Sequence, residues 1–156
     1  MASPIRHAGI CLVILLYALR PNPVRAQQDT PDITGLLKEA EQELYATPWK
    51  ALSPATRALH LGELSGDQVG IAASQLMLGR AYLVLGDMEK SLQFLLPALQ
   101  TFQELGMPKQ EAQTRRRLGS LYLGLGDRDR AMDELNRALT IFRSLDDQQG
   151  ISETLI

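Results

Sequence analysis

Three consecutive arginines, Arg115, Arg116 and Arg117, are the residues of this chain best suited to binding a polar ligand. Each guanidinium presents a planar fork of hydrogen-bond donors that fits a carboxylate. Catalysis would instead need a nucleophile with a base, or a metal site, and the chain has only two histidines and one cysteine. His60 stands on a predicted helix and is the only histidine outside residues 1–26, so no histidine pair can hold a metal there and we expect a surface or packing role. We therefore predict no enzyme activity, no metal and no cofactor.

Two short motifs suggest ligand chemistry, but each lacks residues that the chemistry requires. The segment Gly119-x-x-x-x-Gly124-x-Gly126 is rich in glycine, yet it lacks the Lys-Ser/Thr pair of a phosphate-binding loop. Asp127-x-Asp129 begins like a calcium loop, but the remaining ligands of such a loop are missing. Close helix crossings and helix ends explain these glycines better.

The segment 1–26 has the composition of a secretory signal. Arg6 precedes an apolar run over residues 8–19, prolines follow at Pro21 and Pro23, and Val24-x-Ala26 supplies the small residues of a cleavage site. The apolar run is well short of the roughly 20 residues that span a bilayer. We predict cleavage after Ala26 and export to the periplasm or the medium of a bacterium. The alternative is an uncleaved membrane anchor, which would be the chain's one contact with a membrane.

Removal of this segment would change the charge and the cysteine count of the chain. It takes away three arginines and Cys11, and the remaining 13 basic and 18 acidic residues leave a net charge of about −5. Nucleic-acid binding needs a broad basic surface, so we predict no nucleic-acid partner. An exported chain without cysteine has no disulfides and must rely on packing for its stability.

A 40-residue repeat runs through the last two thirds of the chain. A fixed period of this size indicates a repeat array, in which neighbouring units stack to bury faces that no unit can bury alone. Good helix formers dominate and no alternating apolar–polar stretch predicts a strand, so we predict an all-α fold. Three motifs recur at this spacing. Leu78-Gly79-x-x-Tyr82 recurs as Leu118-Gly119-x-x-Tyr122, and Gly86-Asp87 recurs as Gly126-Asp127. Ala58-Leu59 recurs as Ala98-Leu99 and again as Ala138-Leu139.

The repeat and the change in composition divide the chain into segments. We predict a signal peptide (1–26), a disordered lead (27–31) and a repeat array (32–156). The array comprises a degenerate repeat (32–69), two clear repeats (70–109 and 110–149) and the start of a further repeat (150–156).

Helix ends within the array are predicted from their capping residues. Asp32 is a candidate N-cap, and Thr47 is a candidate cap for a helix that starts at Pro48. A start at Pro54 is the alternative for that helix. Gly86 fits the left-handed end of a helix, and Asp87 fits the N-cap of the next one. Elsewhere, the small residues Gly79 and Gly119 predict close approach of paired helices.

The repeating residues resemble those of the tetratricopeptide repeat family. Leu78-Gly79-x-x-Tyr82 and Leu118-Gly119-x-x-Tyr122 follow the family's spacing, although Gln75 and Arg115 replace its tryptophan. The resemblance covers residues 32–156 and is strong over 70–145. The 40-residue period is longer than the family's usual period. In this respect the chain resembles the long-repeat type found in bacterial sensor and regulatory proteins.

This resemblance implies a right-handed solenoid of antiparallel helix pairs whose first helices line a concave groove for a protein or peptide. Transferred onto this chain, the family's pattern implies a groove face that includes Arg80, Gln113, Arg116 and Ser120, with Arg117 beside them. Some members of the family hold a peptide's terminal carboxylate from such positions. The Asn and Lys that usually share that task are absent here.

Arginines on a solvated face are the simpler interpretation of such residues. Arg130 with Glu134, and Asp133 with Arg137, have the i,i+4 spacing of helical ion pairs, which contribute only about 0.2–0.5 kcal/mol each.

Two functions follow from these expectations. The first is an exported scaffold that binds a protein or peptide segment. The second is the extracytoplasmic sensory part of a longer signalling enzyme, of the histidine kinase or nucleotide cyclase type. Ile151, Leu155 and Ile156 would leave an apolar half-helix open at the end of the array, which predicts self-association there or further repeats beyond it.

Overall fold

A computed structural model describes residues 32–155, which belong to one compact unit that begins at Asp32. The predicted signal peptide, the predicted lead and Ile156 lie outside the described residues. Within the described range the chain forms seven α-helices and no strand, so the predicted all-α helical solenoid is confirmed. The helices are α1 (Ile33–Glu43), α2 (Pro48–Ser65), α3 (Gln68–Val84), α4 (Met88–Glu104), α5 (Pro108–Gly124), α6 (Arg128–Ser144) and α7 (Gln148–Thr154).

Helix starts reproduce the spacing of the sequence repeat. The helices α3, α5 and α7 begin at Gln68, Pro108 and Gln148, and α4 and α6 begin at Met88 and Arg128. Successive pairs of helices thus recur at the period of the sequence. None of the helices in the described range is both long and apolar enough to cross a membrane.

Capping residues end and begin the helices as expected, with one exception. Gly86 has a φ of 80° and Asp87 accepts a hydrogen bond from the backbone N–H of Lys90, as predicted. Asp32 caps α1 in the same way. Thr47 stands at the predicted N-cap position of α2, but its hydroxyl caps no backbone N–H of the helix and donates to the Glu43 carboxylate.

The start of α2 is at Pro48, and the helix continues through Pro54, so the alternative start is excluded. Pro48 fits the first turn because its missing N–H has no partner there in any helix. Pro54 is buried inside the helix.

Paired helices approach closely at the two glycines. A Cβ atom built on Gly79 would lie 2.6 Å from Cγ of Leu95, and one on Gly119 would lie 2.6 Å from Cγ of Leu135. The buried Ser91 hydroxyl also donates a 2.8 Å hydrogen bond to the carbonyl of Gly79. The predicted close approach is therefore confirmed, and a larger side chain at either glycine would displace the leucine that faces it.

Stacking of the pairs places the first helices next to one another. Besides the contacts between sequential helices, α1 packs against α3, and α3 packs against α5. The second helices α2, α4 and α6 make no comparable contacts with one another in the described part of the chain. The first helices thus form one layer, and side chains on their shared outer face converge.

Candidate functional site

One groove of about 550 Å³ lies along the layer of first helices. All of its lining residues come from α1, α3, α5 and α7, or, for Tyr45, from the turn that follows α1. We call it the arginine groove. Its lining residues are Glu41, Tyr45, Arg80, Gln113, Arg116, Arg117, Gln149 and Glu153.

Arg80 is held at one end of the arginine groove by a carboxylate of α1. Its two terminal nitrogens donate to both carboxylate oxygens of Glu41, at 2.5 and 2.8 Å. One of them also lies 3.5 Å from the Tyr45 hydroxyl. Burial acts to lower the pKa of Arg80, but the hydrogen bonds with Glu41 and Tyr45 outweigh it and raise the pKa above its ordinary value. This guanidinium is therefore charged and already paired.

Arg116 is paired in a similar way at the other end. A terminal nitrogen of its guanidinium lies 2.6 Å from Oε2 of Glu153 on α7. The hydrogen bond from Gln149, together with the charges of Arg116 and Arg117, lowers the pKa of Glu153 despite the opposing effect of burial. Glu153 is thus ionised at neutral pH and forms a charged pair with Arg116.

Arg117 lies between these pairs and differs from both arginines. Within residues 32–155, no carboxylate lies within ion-pair distance of its half-buried guanidinium. Burial and the positive charges of Arg80 and Arg116 lower the pKa of Arg117, and its interaction with Tyr45 opposes this only in part. The ordinary pKa of an arginine lies so far above neutrality that Arg117 stays protonated at neutral pH. Among the described residues, then, this charged donor has no matching anion.

The Tyr45 hydroxyl interacts with both Arg80 and Arg117. Burial acts to raise the pKa of its hydroxyl, but the hydrogen bond from Arg80 and the charges of Arg117 and Arg80 lower it below the ordinary value of 10.0. The Tyr45 side chain is largely exposed despite these contacts. The exposed ring and hydroxyl can therefore contact a ligand in the arginine groove.

Four of the five predicted binding residues line the arginine groove together. They are Arg80, Gln113, Arg116 and Arg117. Ser120 is not among the lining residues; its exposed hydroxyl donates a 3.2 Å hydrogen bond to the carbonyl of Arg116. A binding role for these five residues stays a prediction.

Sequence reasoning missed the other half of the lining. Glu153 follows Gln113 by one full period, so a further shift by that period would have found it. Glu41 and Tyr45 carried no such signal, because Ala81 and Leu85 stand at the corresponding places of the next repeat. Their position depends on how α1 packs against α3.

Arg115, the first of the three arginines, points away from the groove. Its side chain is 7% exposed, donates to Glu111 at 2.9 Å and to Glu134 of α6 at 2.7 Å, and so joins α5 to α6. The predicted pair of Arg130 with Glu134 is therefore wrong, and Arg130 contacts Asp127 instead.

The other polar residues singled out in the sequence, His60, Asp133 and Arg137, lie in surface pairs within the described range. The His60 ring is exposed and lies 3.9 Å from a carboxylate oxygen of Glu63, a surface position as expected. The predicted surface pair of Asp133 and Arg137 forms, at 2.9 Å. No group of three or more His, Cys, Asp or Glu residues in the described range could hold a metal ion.

Comparison with known proteins identifies the repeated part of the chain. Residues 70–144 match the family model described as tetratricopeptide repeat. The match extends from the first turn of α3 to the end of α6, and so covers the two complete pairs that carry the Leu-Gly-x-x-Tyr spacing. No curated protein matches the chain.

Proposed function

Residues 70–144 make this chain a tetratricopeptide repeat protein, and we propose that it is an exported scaffold that binds a carboxylate-bearing protein or peptide segment in the arginine groove. Repeats of this family support protein–protein interaction. The family alone does not specify what this chain binds, so the proposal depends on the groove itself.

The observation that carries the proposal is an excess of positive charge on the shared face of the first helices. Three guanidinium groups line the arginine groove, and only two carboxylates accompany them. Arg117 is half-buried and lacks a carboxylate partner within the described residues, although buried charges are usually paired. A carboxylate from a bound segment would supply that partner and form charge-assisted hydrogen bonds with the planar fork.

Substitution of Arg117 tests this role. We expect Arg117→Ala to weaken binding of a selected peptide by tenfold or more, because hydrogen bonds to a charged group contribute about 1.5–3 kcal/mol. The peptide would be selected from a random library on the chain without residues 1–26. The affinity of the peptide would be measured by isothermal titration calorimetry. Two forms of the peptide would be compared: one with free carboxylates at its C-terminus and side chains, and one in which these carboxylates are amidated.

Arg137→Ala is the matched control, because Arg137 forms an exposed ion pair with Asp133 on α6, outside the groove. The control should leave the affinity unchanged. Equal affinity of Arg117→Ala and the parent protein would contradict the proposal, as would a peptide that binds equally well with all its carboxylates amidated.

Export is part of the proposal and rests on the composition of residues 1–26. The basic start, the short apolar run and the small residues before Gln27 support it. We expect the protein recovered from the periplasm or medium of an expressing bacterium to begin at Gln27. Intact-mass measurement checks this, and a mass that still includes Met1 would contradict cleavage.

A further inference from the structure

The arginine groove contains two carboxylates as well as its three arginines, and they affect which anions it can bind. Glu41 and Glu153 belong to the lining, and they come from α1 and α7, the first and last helices of the described range. Each is already engaged with one arginine. Glu41 binds Arg80 through both oxygens, at 2.5 and 2.8 Å, and Glu153 lies 2.6 Å from Arg116.

The charged side chains of the lining give the net charge that a ligand in the arginine groove would have to balance. Arg80, Arg116 and Arg117 carry three positive charges, and Glu41 and Glu153 carry two negative ones. Tyr45, Gln113 and Gln149, the other lining residues, are uncharged polar side chains at neutral pH. The arginine groove therefore carries one net positive charge, centred on Arg117.

We infer that Glu41 and Glu153 restrict the arginine groove to ligands with a single negative charge, a carboxylate rather than a phosphate-like dianion, with Arg117 as the anchoring cation. This inference rests on the proposed function and specifies its ligand class. Neither glutamate needs to touch the ligand, because each acts by occupying an arginine and by repelling additional negative charge.

The contacts explain why a second negative charge is disfavoured. A monoanion can pair with Arg117 and leave both existing ion pairs intact. A dianion would need a second guanidinium, and it would have to displace Glu41 or Glu153 to obtain one. The displaced carboxylate would then stay beside the incoming anion, and like charges a few ångströms apart repel.

Two small anions serve as probes of the charge preference. Sodium propionate supplies one charge and sodium sulfate supplies two, and both would be titrated into the chain without residues 1–26 at pH 7.5. Ionic strength is held constant, because salt screens these interactions. Binding is followed by the NMR signal of the Arg117 Nε–H group. We expect propionate to bind the parent protein more tightly than sulfate.

Glu153→Gln removes one carboxylate charge and keeps the shape of the side chain. Because the repulsion scales with the charge of the ligand, we expect about threefold tighter binding of propionate and about tenfold tighter binding of sulfate. Glu41→Gln should have the same effect from the other end of the groove. Circular dichroism would confirm that each variant remains folded.

Glu39→Gln is the matched control, since Glu39 is exposed on α1 outside the groove and its substitution changes the net charge equally. The inference is wrong if Glu153→Gln raises the affinities for propionate and sulfate by the same factor. It is equally wrong if Glu153→Gln raises these affinities no more than Glu39→Gln does. It is also wrong if the parent protein prefers sulfate. All three outcomes leave the proposed function standing. Absence of any anion binding at Arg117 would overturn the inference and the proposed function together.

Discussion

Phe102→Ala is expected to lower the free energy of unfolding by about 3–5 kcal/mol, the range for truncation of a buried phenylalanine. The Phe102 side chain is 1% exposed at the end of α4, where it packs with Ala72 and Leu76 of α3 and with Met107, just before α5. Truncation would therefore leave a cavity between α3 and α4, inside one helix pair. Urea unfolding followed by circular dichroism measures the loss.

Leu96→Ala provides the control for Phe102, because Leu96 is a large apolar residue on the same helix but is 46% exposed. A change within about 0.5 kcal/mol is expected for it. A loss below about 1 kcal/mol for Phe102→Ala would show that the ring is not packed between α3 and α4. The same loss for both variants would contradict the distinction between buried and exposed faces of α4.

Arg115→Ala is expected to destabilise the chain by about 3 kcal/mol, at the lower end of the range for breaking a buried ion pair. The guanidinium joins Glu111 of α5 to Glu134 of α6, and both carboxylates are only 19% exposed. Without Arg115, two negative charges would remain close together with no cation between them. The loss would be measured by urea unfolding at pH 7.

Arg137→Ala is the control for this prediction. Arg137 pairs with Asp133 at 2.9 Å, but both side chains are more than half exposed, so a loss below about 1 kcal/mol is expected. A second comparison separates charge from shape. Arg115→Met combined with Glu111→Gln and Glu134→Gln removes the unpaired charges and should recover most of the stability. If the triple variant is no more stable than Arg115→Ala, unpaired charge is not the cause.

Much of the fold was predictable because its signals are local. A glycine can adopt a positive φ at low cost, and an aspartate before a helix can accept from its first free N–H groups, so Gly86 and Asp87 indicate a helix end and a helix start. Thr47 carried the same type of signal and stands at the N-cap position of α2, but its side chain makes no capping hydrogen bond. Its hydroxyl is turned towards the Glu43 carboxylate, and the sequence does not show which neighbour a threonine side chain contacts.

The candidate site was predictable only in part. The family pattern brought Arg80, Arg116 and Arg117 to one face, and the structure places all three in the arginine groove. It does not place Ser120 there. Glu41 and Tyr45 lie outside the clear repeats, and their contact with Arg80 depends on the packing of α1 against α3.

The amino-acid sequence by itself determined the all-α class, the 40-residue period and the close helix crossings, because these follow from spacing along the chain. Only the tertiary structure decided the separate roles of Arg115, Arg116 and Arg117. Consecutive helical residues point about 100° apart, so each arginine faces a different neighbour. Glu134 takes the first, Glu153 takes the second, and no carboxylate of the described residues takes the third. Those partners come from other helices, and stacking alone brings them there.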